Sequence, residues 1–275
     1  MDFLDKKLLK DFLPETVEAF KEYNLIDDPL FTKAAEDKKF CEEILRTILG
    51  DPELVVVRNT PQAKLQNLRG RSVVLDALCR IKGGVMVDIE VQKTDNDDHL
   101  RRVRYNGAAL TTNITKTGTK FCEVPNVIII FISTFDIFKD GYALYHVDKI
   151  VRESSRKVED GLEEIYVNSA VKDGSKVSEL MKLFVDFKAY NKDEFPVVSE
   201  SKRFYKETEE GARAMCEITE KYGKKLYKKG EAKGILFTLK NMIETLKLAP
   251  EKALEVCKIP SGERSFYLEK LKEVK

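Results

Sequence analysis

The sequence predicts an α/β protein in which a mixed central sheet is flanked by helices and followed by a helical C-terminal extension. Two runs with a two-residue apolar period, residues 73–81 and 85–91, stand on either side of Lys82-Gly83-Gly84. A continuous β-branched run at residues 127–132 fits a central strand covered on both faces. A stretch with helical signals lies between these strand groups, and strands separated by a helix imply helices layered on a sheet.

Each element follows from its own residues. In residues 29–49, Ala34, Cys41, Ile44, Leu45 and Ile48 recur at helical spacing and Gly50-Asp51-Pro52 closes the run, so one packed helix precedes the sheet. The odd positions of the next run read Val73, Leu75, Ala77, Cys79, Ile81, and those of its successor read Val85, Val87, Ile89, Val91. A three-residue loop with a left-handed glycine is a common hairpin closure, and it sets odd positions opposite odd ones. Both apolar sets then share one face, while Asp76 stands across from Glu90, Val74 from Gln92 and Leu78 from Asp88.

Asp95-Asn96-Asp97-Asp98 supplies capping residue types and negative charge ahead of a helix reaching about Thr112, with Arg101, Arg102 and Arg104 in its first turns. Residues 142–147 and 164–168 read as short strands and 177–187 as a helix. An α/β domain over residues 1–190 and a helical region over 191–275 is the expected division. The latter opens with a charge-dense stretch that includes Lys221, Lys224, Lys225, Lys228, Lys229 and Lys233. Three further helices, near 235–246, 250–257 and 261–271, are bounded by Pro250 and Pro260-Ser261-Gly262.

Composition narrows the chemistry. With 48 basic and 47 acidic residues, the chain has no overall electrostatic pull on nucleic acid, so any such binding must come from local patches. No apolar run approaches the roughly 20 residues of a membrane span, so no membrane partner is expected and the reading is cytoplasmic. Residues 1–13 alternate Asp and Lys with Leu and Phe, unlike a secretory signal, and are expected to be retained. Cys41, Cys79, Cys122, Cys216 and Cys257 are scattered without a CxxC pair, which argues against a disulfide framework or a zinc site. Only His99 and His146 are present, so carboxylates are the more plausible reagents.

Asp76, then thirteen residues, then Glu90-Val91-Gln92 is the D…(D/E)-x-K layout of two-carboxylate nucleases, with Gln where Lys is usual. Carboxylates on neighbouring strands can share a hard divalent cation, which prefers oxygen ligands and keeps several waters. Such a cation would activate a water toward a phosphodiester. Gln92 falls on the same face, where its amide can reach that water or a phosphate oxygen without supplying charge. Pattern alone also fits Asp76, Asp88 and Glu90 simply marking the wet face of a hairpin. Against that, opposed carboxylates near 5 Å repel by about 3 kcal/mol at an effective dielectric of about 20, which a cation or shared proton relieves.

Matching strings extend beyond this triplet. Phe31 with Cys41-Glu42-Glu43-Ile44-Leu45, Gly70-Arg71-Ser72-Val73-Val74-Leu75-Asp76, Asp88-Ile89-Glu90-Val91-Gln92 and Arg102-Val103-Arg104-Tyr105 resemble the bacterial Rpn group of PD-(D/E)XK nuclease family transposases. Lys116-Thr117-Gly118-Thr119-Lys120-Phe121, the 127–132 strand and Phe135-Asp136-Ile137-Phe138 are similar to that family's lysine-glycine loop and central strand. The resemblance covers about residues 28 to 190. It implies a restriction-endonuclease-like core, cleavage of DNA dependent on Mg²⁺ or, in its place, Mn²⁺, and an association with recombination or mobile elements. Carried over by position, Asp76 and Glu90 would ligate the metal and Gln92 would stand in for the catalytic Lys, a Glu-x-Gln form that the family commonly has. A helical Glu ahead of the first strand sometimes joins such sites, and Glu42 and Glu43 are both candidates.

Arg102, Arg104 and Tyr105 are candidate DNA contacts, since guanidinium groups grip phosphates bidentately, although an ordinary charged helix face fits them equally. The lysine-rich run fits sequence-independent DNA affinity or a solvated helix, and the terminal helices fit a helix-turn-helix or plain packing. The competing functional reading is a catalytically inactive relative that binds nucleic acid or a protein partner. A third reading is an interaction protein whose C-terminal helices form a homo-oligomer.

Overall fold

A computed structural model of the chain describes residues 12–67 and 70–273, so most of the segment expected to be retained at the N-terminus lies outside the described residues. In chain order the first elements are α1 (Pro14–Lys21), α2 (Asp28–Ala34), α3 (Lys38–Leu49), β1 (Val56–Leu65), β2 (Val73–Ile81) and β3 (Met86–Gln92). They are followed by α4 (His99–Ile114), β4 (Val127–Ser133), β5 (Leu144–Val147), β6 (Ile150–Val151), β7 (Arg156–Lys157) and β8 (Leu162–Asn168). Helices complete the chain: α5 (Lys176–Val185), α6 (Pro196–Glu207), α7 (Glu209–Leu246), α8 (Pro250–Val256) and α9 (Ser261–Glu273).

The main sheet has the order β1-β2-β3-β4-β8-β5, and β6 and β7 form a separate ribbon. The β1–β2, β2–β3 and β5–β8 pairs are antiparallel, whereas β3–β4 and β4–β8 are parallel. Helix α4 makes the crossover between the parallel pair β3 and β4 and packs on β4. Its Gly107 sits against the sheet so closely that an added Cβ would lie 3.0 Å from Leu162 Cδ1, and this approach brings Val103 and Leu110 into a core with Ile129 and Phe131. Ile130 and Ile132, pointing the other way along β4, are also fully buried. Strand β4 is therefore covered on both faces, as its unbroken apolar run predicts.

Two expectations change, and one strand is new. The single helix over residues 29–49 is two, because Asp37 accepts the Lys39 N–H and starts α3 afresh. Strand β1 is additional to the strands expected: after Val56 and Val57 it runs through polar positions and Pro61, tolerated because it is an edge strand with no neighbour on one side. The strict alternation of β2 also fails: Leu75 and Leu78 join the same α4-side core, so the strand turns about its axis between them. At that point Gln62 of β1 has φ +50°, and the β1–β2 ladder passes over Gln62 and Asp76.

The chain divides into two compact units, one ending at Glu217 and the other beginning at Ile218. The first includes α6, which lies beyond the composition change near Tyr190 and packs on α3. Glu43 of α3 caps α6, accepting the N–H groups of Val198 at 2.7 Å and Val197 at 3.2 Å. Burial raises the Glu43 pKa, and the two N–H groups oppose that shift. Glu43→Ala should cost about 1–2 kcal/mol in urea denaturation, with Glu43→Gln between it and wild type. In the second unit Leu239, Ala253, Leu254, Ile259 and Tyr267 make a small core of their own. Among the described residues no helix is long and apolar enough to cross a membrane.

Candidate metal centre

The β2–β3 hairpin closes through Lys82-Gly83-Gly84. Gly83 has φ +96° and Gly84 φ +90°, and the Ile81 N–H donates to Val85 O at 3.1 Å. That odd loop produces the predicted register, with Cys79 opposite Val87, Leu78 opposite Asp88 and Ala77 opposite Ile89. The ladder then opens. The Val91 N–H, which would continue it to Leu75, donates instead to Asp76 Oδ2 at 3.0 Å, and the Asp76 N–H donates to Glu90 Oε1 at 3.1 Å. The two carboxylates thus stand in for main-chain partners where the strands part. Val74 and Gln92, expected opposite one another, lie past the last paired residues of this ladder.

Asp88 and Glu90 face the α4 side, because their parallel partners across β4 are Ile129 and Phe131 of that core. Asp88 is fully buried and no N–H group donates to either of its carboxylate oxygens, so that its side-chain partner is the Glu90 carboxyl; Glu90 is 6% exposed and Asp76 is half-buried. Burial raises the Asp76 carboxyl well above its ordinary range, reinforced by Glu90 and then Asp28. Asp88 is likewise driven well up by burial, then by Glu90 and Asp76. Burial lifts Glu90 to about 7, opposed by the Asp76 N–H and by Arg102.

Chemically, this donor set fits a hard divalent cation: the carboxylate oxygens are grouped, poorly solvated, mutually repelling and, at Asp88, without an N–H donor. Among the described residues no three His, Cys, Asp or Glu side chains are already drawn together as a ready-made cage. Mg²⁺ does not require one, since it binds through one or two carboxylates and retains water.

Gln92 is held at both ends of its amide. Its Oε1 accepts from Arg102 Nη1 at 2.6 Å, and its Nε2 donates to Thr94 O at 2.8 Å. Arg102 Nη2 also reaches Asp98 Oδ1 at 3.3 Å, so two partners already engage the guanidinium. Arg104 is exposed, and the Tyr105 hydroxyl donates to Arg71 O, tying α4 to the β1–β2 connection. Asp98 occupies the α4 cap position without making a cap hydrogen bond. Glu42 accepts the Val56 N–H and pairs with Arg46, and Glu43 caps α6, so both candidate helical carboxylates bind elsewhere.

Sequence reasoning missed Asp28 and Gln62. Asp28, at the start of α2, acts electrostatically on both Asp76 and Glu90, and Gln62 Nε2 donates to Asp76 Oδ1 and to Thr32 Oγ1, each at 3.3 Å. The Asp28-Pro29 helix start was a local signal for a helix, yet nothing local placed that helix beside β2.

A hairpin that brings two carboxylates into one buried cluster, joined by a helical crossover to a parallel central strand, defines the restriction-endonuclease-like class. The family model for the PD-(D/E)XK nuclease family transposase matches residues 29–222, well over half of the chain, and the protein belongs to that family. Its fold is the PD-(D/E)XK fold, and its function is nuclease- or transposase-related. PD-(D/E)XK nucleases usually use divalent metal ions, and a nuclease family implies a DNA substrate. No curated protein and no solved structure matches the chain significantly.

Proposed function

We infer that the protein is a metal-dependent DNA endonuclease that hydrolyses phosphodiester bonds, working in recombination or on mobile elements. The observation that carries this reading is the buried carboxylate cluster of Asp76, Asp88 and Glu90, whose repulsion the described side chains leave only partly relieved. Asp76 and Glu90 would hold Mg²⁺ or Mn²⁺, with the fully buried Asp88 two positions before Glu90 on the same strand. When bound, the cation would lower the pKa of a coordinated water and neutralise charge on the phosphoryl oxygens. The main-chain bonds to Asp76 and Glu90 fix where those carboxylates lie. Exposed Arg71, Arg101 and Arg104 would contact the DNA backbone, with Tyr105 joining their two elements.

Supercoiled plasmid incubated with Mg²⁺ or Mn²⁺ tests this directly. Wild type should nick it, chelator should stop the reaction, and Asp76→Ala and Glu90→Ala should each lower the rate by at least about 10²-fold. Equal nicking by all three proteins removes the assignment.

A further inference from the structure

A two-carboxylate nuclease that has Gln in place of Lys lacks a positive charge on that strand. We propose that the missing charge is supplied from α4, by Arg102 acting through Gln92 as a positioning residue. The geometry is specific. Arg102 Nη1 donates to Gln92 Oε1 at 2.6 Å, the opposite end of the amide is pinned to Thr94 O, and Asp98 steadies the other guanidinium nitrogen. Arg102 is only partly exposed, and its charge acts favourably on the Glu90 carboxylate. A guanidinium on the next element, bonded to the residue at the lysine position, therefore brings a positive charge to bear on Glu90 without entering the strand. The same bond joins the end of β3 to the first turn of α4, so the charge is held in a defined place.

The inference rests on the metal-site reading above and extends it to a residue first considered as a phosphate contact. Its test is a charge swap across the pair, comparing wild type, Arg102→Met, Gln92→Lys and the double variant, with thermal melts to confirm folding. Two readouts are taken: Mn²⁺ affinity by calorimetry and plasmid nicking. Removing a neighbouring positive charge should tighten Mn²⁺ binding by about five- to tenfold while slowing nicking on the order of 10²-fold. A merely structural role for Arg102 would weaken both. The double variant, which returns the charge to the strand, should bring Mn²⁺ affinity back to within about twofold of wild type and recover most of the nicking.

Unchanged or weaker Mn²⁺ binding by folded Arg102→Met overturns the inference, as does failure of Gln92→Lys to rescue it. If wild type binds Mn²⁺ but cuts no DNA, the nuclease reading falls, and the Mn²⁺ affinities still decide the role of Arg102. If wild type binds no Mn²⁺, the metal site and this inference fall together.

Discussion

The metal-free protein is expected to lose stability as pH rises from about 4.5 to about 7, and to regain it when Mn²⁺ is added at the upper end. Glu90 has an ordinary pKa of 4.5 and is raised to about 7 when folded, chiefly by burial. The folded state therefore binds more protons than the unfolded state across that interval. The sign follows from linkage: the contribution is full below the unfolded value and is lost as pH climbs through the folded one. For Glu90 alone the change is on the order of 3 kcal/mol, and Asp76 and Asp88 shift in the same direction. Urea titrations at a series of pH values should follow this fall. At pH 8, Mn²⁺ at a hundred times its Kd should return about 2.7 kcal/mol. Asp88→Asn should flatten the pH dependence, because it removes a carboxylate that has no N–H donor of its own. A stability profile that is level from pH 4.5 to 7 would mean that the cluster is not buried as described.

The second large effect lies far from this cluster. Lys202 of α6 is fully buried, and its ammonium donates to the carbonyls of Leu183, Asp186 and Ala189, closing the C-terminal end of α5. One helical turn later, Lys206 donates to the carbonyls of Lys21, the last residue of α1, and of Tyr23 just beyond it. A single helix thus caps two others. Lys202→Ala should destabilise the protein by about 3–5 kcal/mol, since it leaves three inward carbonyls without their donor. Lys202→Met restores volume without the donor and should recover only part of that loss. Burial lowers both lysines to about 8 from 10.5, so the unfolded chain binds more protons between those values. Stability should accordingly rise with pH above 8, opposite in sign to the carboxylate effect, and wild type without metal should show a minimum near pH 7.5 to 8. A Lys202→Ala protein with wild-type urea midpoint would contradict the capping role.

The hairpin was legible because its causes are local. Gly83 and Gly84 accept positive φ, an odd loop sets the register, and that register brings residues 76 and 90 toward one another. Strand β4 was legible for a similar reason, since six consecutive apolar residues leave no polar face for solvent. Strand β1 was hidden by Pro61 and by its polar edge. Arg102 was visible as a basic residue on a helix, but its partner was not: whether a guanidinium ten residues along reaches Gln92 depends on how α4 docks, through Gly107, onto the sheet.

Glu42 and Glu43 show the reverse case, where residues of the right type point elsewhere. Their bonds run to Val56, Val197 and Val198, and the last two are more than 150 positions away along the chain. Asp28 and Gln62 join Asp76 because α2 and β1 pack beside β2, a relation that no spacing in the sequence expresses.

Residue periodicity and turn chemistry act over a few bonds, so strands β2, β3 and β4, the helix between the last two, the hairpin register and the pairing of Asp76 with Glu90 could be read from the chain. Burial acts through the surroundings a side chain meets only after distant segments pack. The raised proton affinity of the carboxylates, the bond between Arg102 and Gln92 and the two lysine caps were decided there, because desolvation and hydrogen-bond partners are properties of the packed interior.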